Sequence, residues 1–110
     1  MQTYQGESQL DALGDPSRRA IVALLSSEGP SSVGLLAARL PISRPAVSQH
    51  LRVLKNANLV ADRPDGTRRI YALDDTGLAD LHAFIDAFWR SDLDRFARFV
   101  DQHERNGEAQ

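Results

Sequence analysis

Residues 32–56 read SVGLLAARLPISRPAVSQHLRVLKN, two helical patterns back to back with a proline-marked break between them. Ser32 is placed to cap the first pattern, in which Val33, Leu36, Ala37 and Leu40 recur at helical spacing. Pro41 stops it. Ser43 caps the second and puts Pro45 in its first turn, where a missing N–H costs little. Val47, Leu51 and Leu54 then form a core stripe at i, i+4 and i+7, so Arg44, Ser48, Gln49, Arg52 and Lys55 face outward. A brace helix (32–40), a turn (41–43) and a reading helix (44–56) make a helix-turn-helix, whose second helix enters the DNA major groove. On its exposed end Arg suits guanine O6 and N7, Gln suits adenine, Ser is permissive, and Pro45 and Ala46 offer apolar contact to a thymine methyl.

The flanking segments extend this reading. Upstream, a short helical pattern near Ser8–Leu13 ends at Gly14. Asp15 and Pro16 then start a second helix with Ile21, Leu24 and Leu25 as its buried stripe, and Glu28-Gly29-Pro30 stops it. Downstream, Val60–Arg63 and Arg68–Leu73 flank Asp65-Gly66, a strong hairpin signal. This hairpin, residues 59–73, is the wing, with Arg63, Thr67, Arg68 and Arg69 set against phosphate or a narrow minor groove. Asp75 or Thr76 caps a long final helix over 76–100, and ERNGEAQ at 104–110 reads as a frayed tail. The expected fold is mainly α with a small β-hairpin, a single winged helix-turn-helix domain of order α-α-α-α-β-β-α over residues 1–110, ordered over about 8–100.

Charge follows the same division. The chain has a net charge of −2. Residues 39–69 nevertheless hold Arg39, Arg44, Arg52, Lys55, Arg63, Arg68 and Arg69 against only Asp62 and Asp65. Residues 74–110 set four arginines against nine acids. An anionic partner feels the local field within about 8–10 Å, so the clustering outweighs the total. The absence of cysteine excludes disulfides and thiolate metal sites. No apolar run approaches a membrane span, and MQTYQGESQ has no leader pattern, so a cytoplasmic location is expected. With no cysteine, no glycine-rich phosphate loop and no His–carboxylate pair beyond Asp80 and His82, an enzyme is not expected.

The last helix is too apolar for so small a protein. Leu78, Leu81, Ile85 and Phe88 follow 3-4-3 spacing, and Trp89, Phe96 and Val100 continue along an adjoining stripe. We expect a homodimer through this face, joined by Leu10 and Leu13 of the first helix. Two-fold symmetry then sets the reading helices about one DNA turn, ~34 Å, apart.

The runs LDALGDPSRRAIVALL, SVGLLAARLPISRPAVSQHLRVLKNANLV and RPDGTRRIYALD resemble the ArsR/SmtB family of bacterial transcriptional repressors, over roughly residues 9–90. The resemblance implies a homodimeric DNA-binding repressor on an imperfect inverted repeat, commonly released by an effector. It also makes His50 either a phosphate contact or a packed residue, and packing with one hydrogen bond is the preferred reading. Metal-sensing members carry cysteines in the brace helix, where this chain has GLLAARL. Asp80 and His82 match half of a second family metal site, but Leu93 and Phe96 stand at the completing positions. Two ligands cannot close a tetrahedral zinc site, so no metal and no other cofactor is expected. Pro41 also stands where many members have glycine. Two alternatives stay open: a ligand-gated sensor with a pocket walled by Phe84, Phe88 and Trp89, and a winged-helix module for protein interaction.

Overall fold

A computed structural model describes residues 6–108, in the order α1 (Glu7–Ala12), α2 (Pro16–Glu28), β1 (Ser31–Ser32), α3 (Val33–Arg39), α4 (Arg44–Asn56), β2 (Val60–Asp65), β3 (Arg68–Leu73) and α5 (Asp75–Glu108). Each expected cap in the first half is made. Asp15 Oδ1 accepts from the Ser17 N–H at 3.3 Å, Ser32 Oγ from Leu35 at 3.3 Å and Ser43 Oγ from Ala46 at 3.3 Å. These bonds satisfy N–H groups that the first helical turn leaves without a partner.

The stripes converge on one core of Ile21, Leu25, Leu36, Val47, Leu51, Leu54, Leu59 and Val60. Leu24, Val33, Ala37 and Leu40 pack half-buried around it. The reading helix thus spends its whole inner face on the core, which leaves its polar face outward.

The wing belongs to a three-stranded antiparallel sheet of order β1-β3-β2. Sequence reading gave only the hairpin. β1 is two serines pairing with Ile70 and Tyr71, too short and too polar to carry an alternation signal. β2 also runs past Arg63, through Pro64 to Asp65. It is an edge strand, where a proline's missing N–H removes no ladder bond. Asp65 pairs with Arg68, and Gly66 turns the chain at φ 63°.

The last helix departs from expectation at both ends. Its cap is Asp74, neither Asp75 nor Thr76: the Asp74 carboxylate accepts the Thr76 N–H at 2.9 Å. The Asp74 N–H is meanwhile donated to the Leu59 carbonyl at 2.9 Å, which holds residue 74 outside the helix. Gly77 makes the docking of α5 possible, since a Cβ there would stand 1.9 Å from the Asn58 carbonyl oxygen. At the far end α5 continues to Glu108, so the tail expected to fray from residue 104 is helical that far. Nothing in this stretch removes a main-chain donor, so each added residue gains a helical bond. Residues 109–110, and the first five residues read as free of a leader pattern, lie outside the described residues. Among the described residues no helix is long and apolar enough to cross a membrane.

Candidate nucleic-acid interface

The N-terminal half of α4 presents the expected polar face. Arg44, Pro45, Ser48, Gln49 and Arg52 are exposed, Ala46 is half-buried, and Ser43 is exposed while its hydroxyl caps the helix. Arg44 is seated against the brace helix: a Cβ at Gly34 would lie 3.0 Å from its Nη2. A cleft of about 260 Å³ opens there between α3 and the wing, lined by Gly34, Arg44, Thr67, Arg68 and Arg69 among others. The sheet therefore brings the wing arginines beside the first turn of the reading helix, across more than twenty residues of sequence.

The seven cations of residues 39–69 do not form one class. Arg39 is ion-paired with the Glu28 carboxylate. Lys55 Nζ lies 2.7 Å from Asp62 Oδ1, and Arg69 Nε donates to Asp62 Oδ2 at 2.6 Å. The hydrogen bond from Lys55, followed by that from Arg69, holds the Asp62 carboxyl below its ordinary value despite its burial. The same carboxylate raises Arg69. Arg44, Arg52, Arg63 and Arg68 are all exposed and make no ion pair or hydrogen bond among the described residues. Lys55 and Arg69, expected to meet DNA, are thus engaged inside the protomer. The largely buried Asp62 carboxylate, set between the end of α4 and β3, draws in one cation from each.

His50 also has partners within the protomer. Its side chain is 22% exposed, with Nδ1 3.4 Å from Arg18 Nη1 and 3.9 Å from Asp15 Oδ2. Arg18 Nε in turn donates to the Ala12 carbonyl at 2.5 Å, and Arg19 Nη1 to the Leu13 carbonyl at 2.9 Å. The DPSRR run is therefore a latch: it closes the end of α1, starts α2 and holds His50 of the reading helix. One ring nitrogen of the half-buried His50, Nδ1, thus faces this latch.

On α5 the apolar residues divide. Leu78 and Leu81, with Leu13, are half-buried and pack against the protomer's own core. Leu10, Ile85, Phe88, Trp89, Leu93, Phe96 and Phe99 remain exposed. Leu10, Phe84, Ile85, Phe88 and Trp89 line an apolar hollow of about 360 Å³. Asp80 is half-buried and His82 exposed on the same helix. Among the described residues no three His, Cys, Asp or Glu side chains converge as a metal site.

The model of a bacterial regulatory protein family, arsR, matches residues 15–62, from the latch through both helices to the wing carboxylate. The HTH-type transcriptional regulator Rv2034 of Mycobacterium tuberculosis is 55% identical over 102 residues, covering 92% of this chain and 94% of that one. This chain belongs to the ArsR family. Another ArsR-family relative, the arsenical resistance operon repressor of Escherichia coli, is 34% identical over 88 residues, 80% of this chain and 75% of that one. The transcriptional repressor SdpR of Bacillus subtilis is 39% identical over 69 residues, 63% of this chain and 76% of its own. Among solved structures, a possible transcriptional regulator for arsenical resistance superposes with a TM-score of 0.72 at 50% identity, covering 83% of this chain and 94% of that chain. The ArsR-family chain is accordingly a DNA-binding transcriptional regulator with a winged-helix fold.

Three residues of its candidate interface escaped sequence reasoning. Asp62 stood out only as an acid inside a basic run. Gly34 carried no signal, because the side chain that packs over it comes from Arg44 on the next helix. Arg18 carried a motif without a visible partner, because that partner lies 32 residues away.

Proposed function

We propose that this ArsR-family regulator is a homodimeric repressor that reads an inverted-repeat operator with α4 and braces on the sugar–phosphate backbone with its wing. The observation that carries the reading is the division of the cations. Among the described residues Arg44, Arg52, Arg63 and Arg68 have no internal partner, whereas Arg39, Lys55 and Arg69 have one. An exposed guanidinium with no carboxylate to satisfy it is available to phosphate or guanine. In this reading Arg44, Ser48 and Gln49 meet base edges, with Ser43, Pro45 and Ala46 at the groove floor. Arg52 with Arg63, Thr67 and Arg68 meets phosphate. The second copy is supported by the run of exposed aromatics on α5, which one protomer leaves facing water.

Selection of bound sites from random DNA, with and without divalent metals, tests this reading. An inverted repeat should emerge with half-sites about one turn apart, and affinity should fall steeply with salt. Arg44→Ala or Gln49→Ala should relax base preference by about 1–3 kcal/mol per lost bidentate contact. A flat salt dependence, or selected sites without two-fold symmetry, would sink it.

A second reading is favoured by the hollow lined by Leu10, Phe84, Ile85, Phe88 and Trp89. Lined by apolar side chains, it suits an apolar small molecule that modulates DNA binding. Trp89 fluorescence across a panel of apolar and aromatic compounds tests it, and a response without any change in DNA affinity rejects gating.

A further inference from the structure

Asp62 sits on the edge strand of the wing with its side chain only 7% exposed. Its two oxygens are divided between two elements. Oδ1 receives Lys55 from the last turn of α4, and Oδ2 receives Arg69 from β3. One carboxylate therefore ties the C-terminal end of the reading helix to both strands of the wing. The cations it holds are not sealed in: their side chains are 52% and 57% exposed. They lie at the surface, charged, and restrained.

We propose that Asp62 is a specificity-determining positioning residue, which fixes the wing against α4 and withholds Lys55 and Arg69 from DNA phosphate. The proposal rests on the placement of α4 and the wing against DNA given above. Phosphate contacts add affinity for any sequence, whereas base contacts add it only for the right one. A regulator that recruited every available cation would bind all DNA more tightly and discriminate less. By occupying two of the seven cations of residues 39–69, Asp62 holds down the sequence-independent part of binding. By fixing their geometry, it sets the angle at which Arg63 and Arg68 reach the backbone.

The test compares salt dependence on operator and random duplexes for the full chain. Asp62→Asn keeps the shape and removes the charge, so both cations become free to meet phosphate. Each phosphate gained steepens the log–log salt slope by about 0.9, up to roughly 1.8 per protomer. We expect affinity for random DNA at low salt to rise about tenfold or more, with a smaller rise on the operator and so a lower specificity ratio. Asp62→Glu, which can keep both pairings, should restore the wild-type slope. Adding Lys55→Met and Arg69→Met to Asp62→Asn should abolish the increase. Lys55→Met alone, which needs no change to Asp62, should leave the wild-type slope unmoved. An unchanged slope in folded Asp62→Asn would overturn the proposal, as would a shallower slope in Lys55→Met. Wild-type binding that ignores salt would instead overturn the DNA placement itself, and this proposal with it.

Discussion

Replacing Phe88 with glutamate separates a structural surface from an interface. Phe88 is 59% exposed on α5. A phenylalanine side chain can bury about 200 Å², so roughly 120 Å² of this one faces water in the protomer. If a second copy covers that area, it contributes about 3 kcal/mol per protomer at ~25 cal/mol/Å². Two-fold symmetry doubles this to about 6 kcal/mol, or some four orders of magnitude in the dimer dissociation constant. Coverage is incomplete and association has its own entropic cost, so an increase of at least about a hundredfold is the working expectation. Burying a carboxylate at the contact adds to the loss. In a monomeric protein the same change, at an exposed site of a helix that tolerates glutamate, costs within about 0.5 kcal/mol. Sedimentation equilibrium across a micromolar range, with thermal melting as the folding control, reads the difference. A folded Phe88→Glu chain whose dimerisation stays within threefold of wild type would refute the assignment of this face. If the dimer does fail, operator affinity should fall toward that for a single half-site, since the two reading helices lose their mutual tether.

Three further outcomes follow from particular contacts. Gly34→Ala should raise thermal stability, by about 0.5–1 kcal/mol for the helical residue, while displacing the Arg44 guanidinium. Melting together with site selection checks this, and unchanged base preference would show that Arg44 does not read bases from that seat. Leu51→Ala, at a position with no exposure, should cost about 2–5 kcal/mol in urea denaturation, a large part of a small domain's stability. The Asp62 pairing should be pH-dependent in one direction. Its folded value is depressed, so its stabilisation is fully present above the ordinary carboxylate value of about 3.9 and is lost as pH falls through the folded value. Paired denaturations of wild type and Asp62→Asn should differ equally at pH 7 and about 5, then converge as the pH drops below about 4. A gap that persisted unchanged far into acid would contradict the assignment.

Much of this architecture was legible in the chain because local chemistry wrote it. Asp15, Ser32 and Ser43 cap helices through atoms two or three residues away, so spacing alone reveals them. Val47, Leu51 and Leu54 share a helical face whatever they pack against, which made the outward face of α4 readable before any partner was known. Asp65-Gly66 marked the hairpin through backbone preference. The start of α5 was misplaced because the choice among Asp74, Asp75 and Thr76 depended on a main-chain bond to Leu59, fifteen residues back.

What sequence by itself determined is therefore the run of five helices and the hairpin, their inner and outer faces, and the basic character of residues 39–69. Those are properties of neighbours along the chain and of helical or strand periodicity. Tertiary structure decided which of the basic residues remain available. Lys55 and Arg69 meet at Asp62 only because the wing folds back against the end of α4, and His50 is claimed by Arg18 only because α2 packs beside it. Coulomb attraction acts over a few ångströms of space, not along the sequence. Charges that look alike in a list are therefore sorted, once folded, into those already paired and those free to meet another molecule.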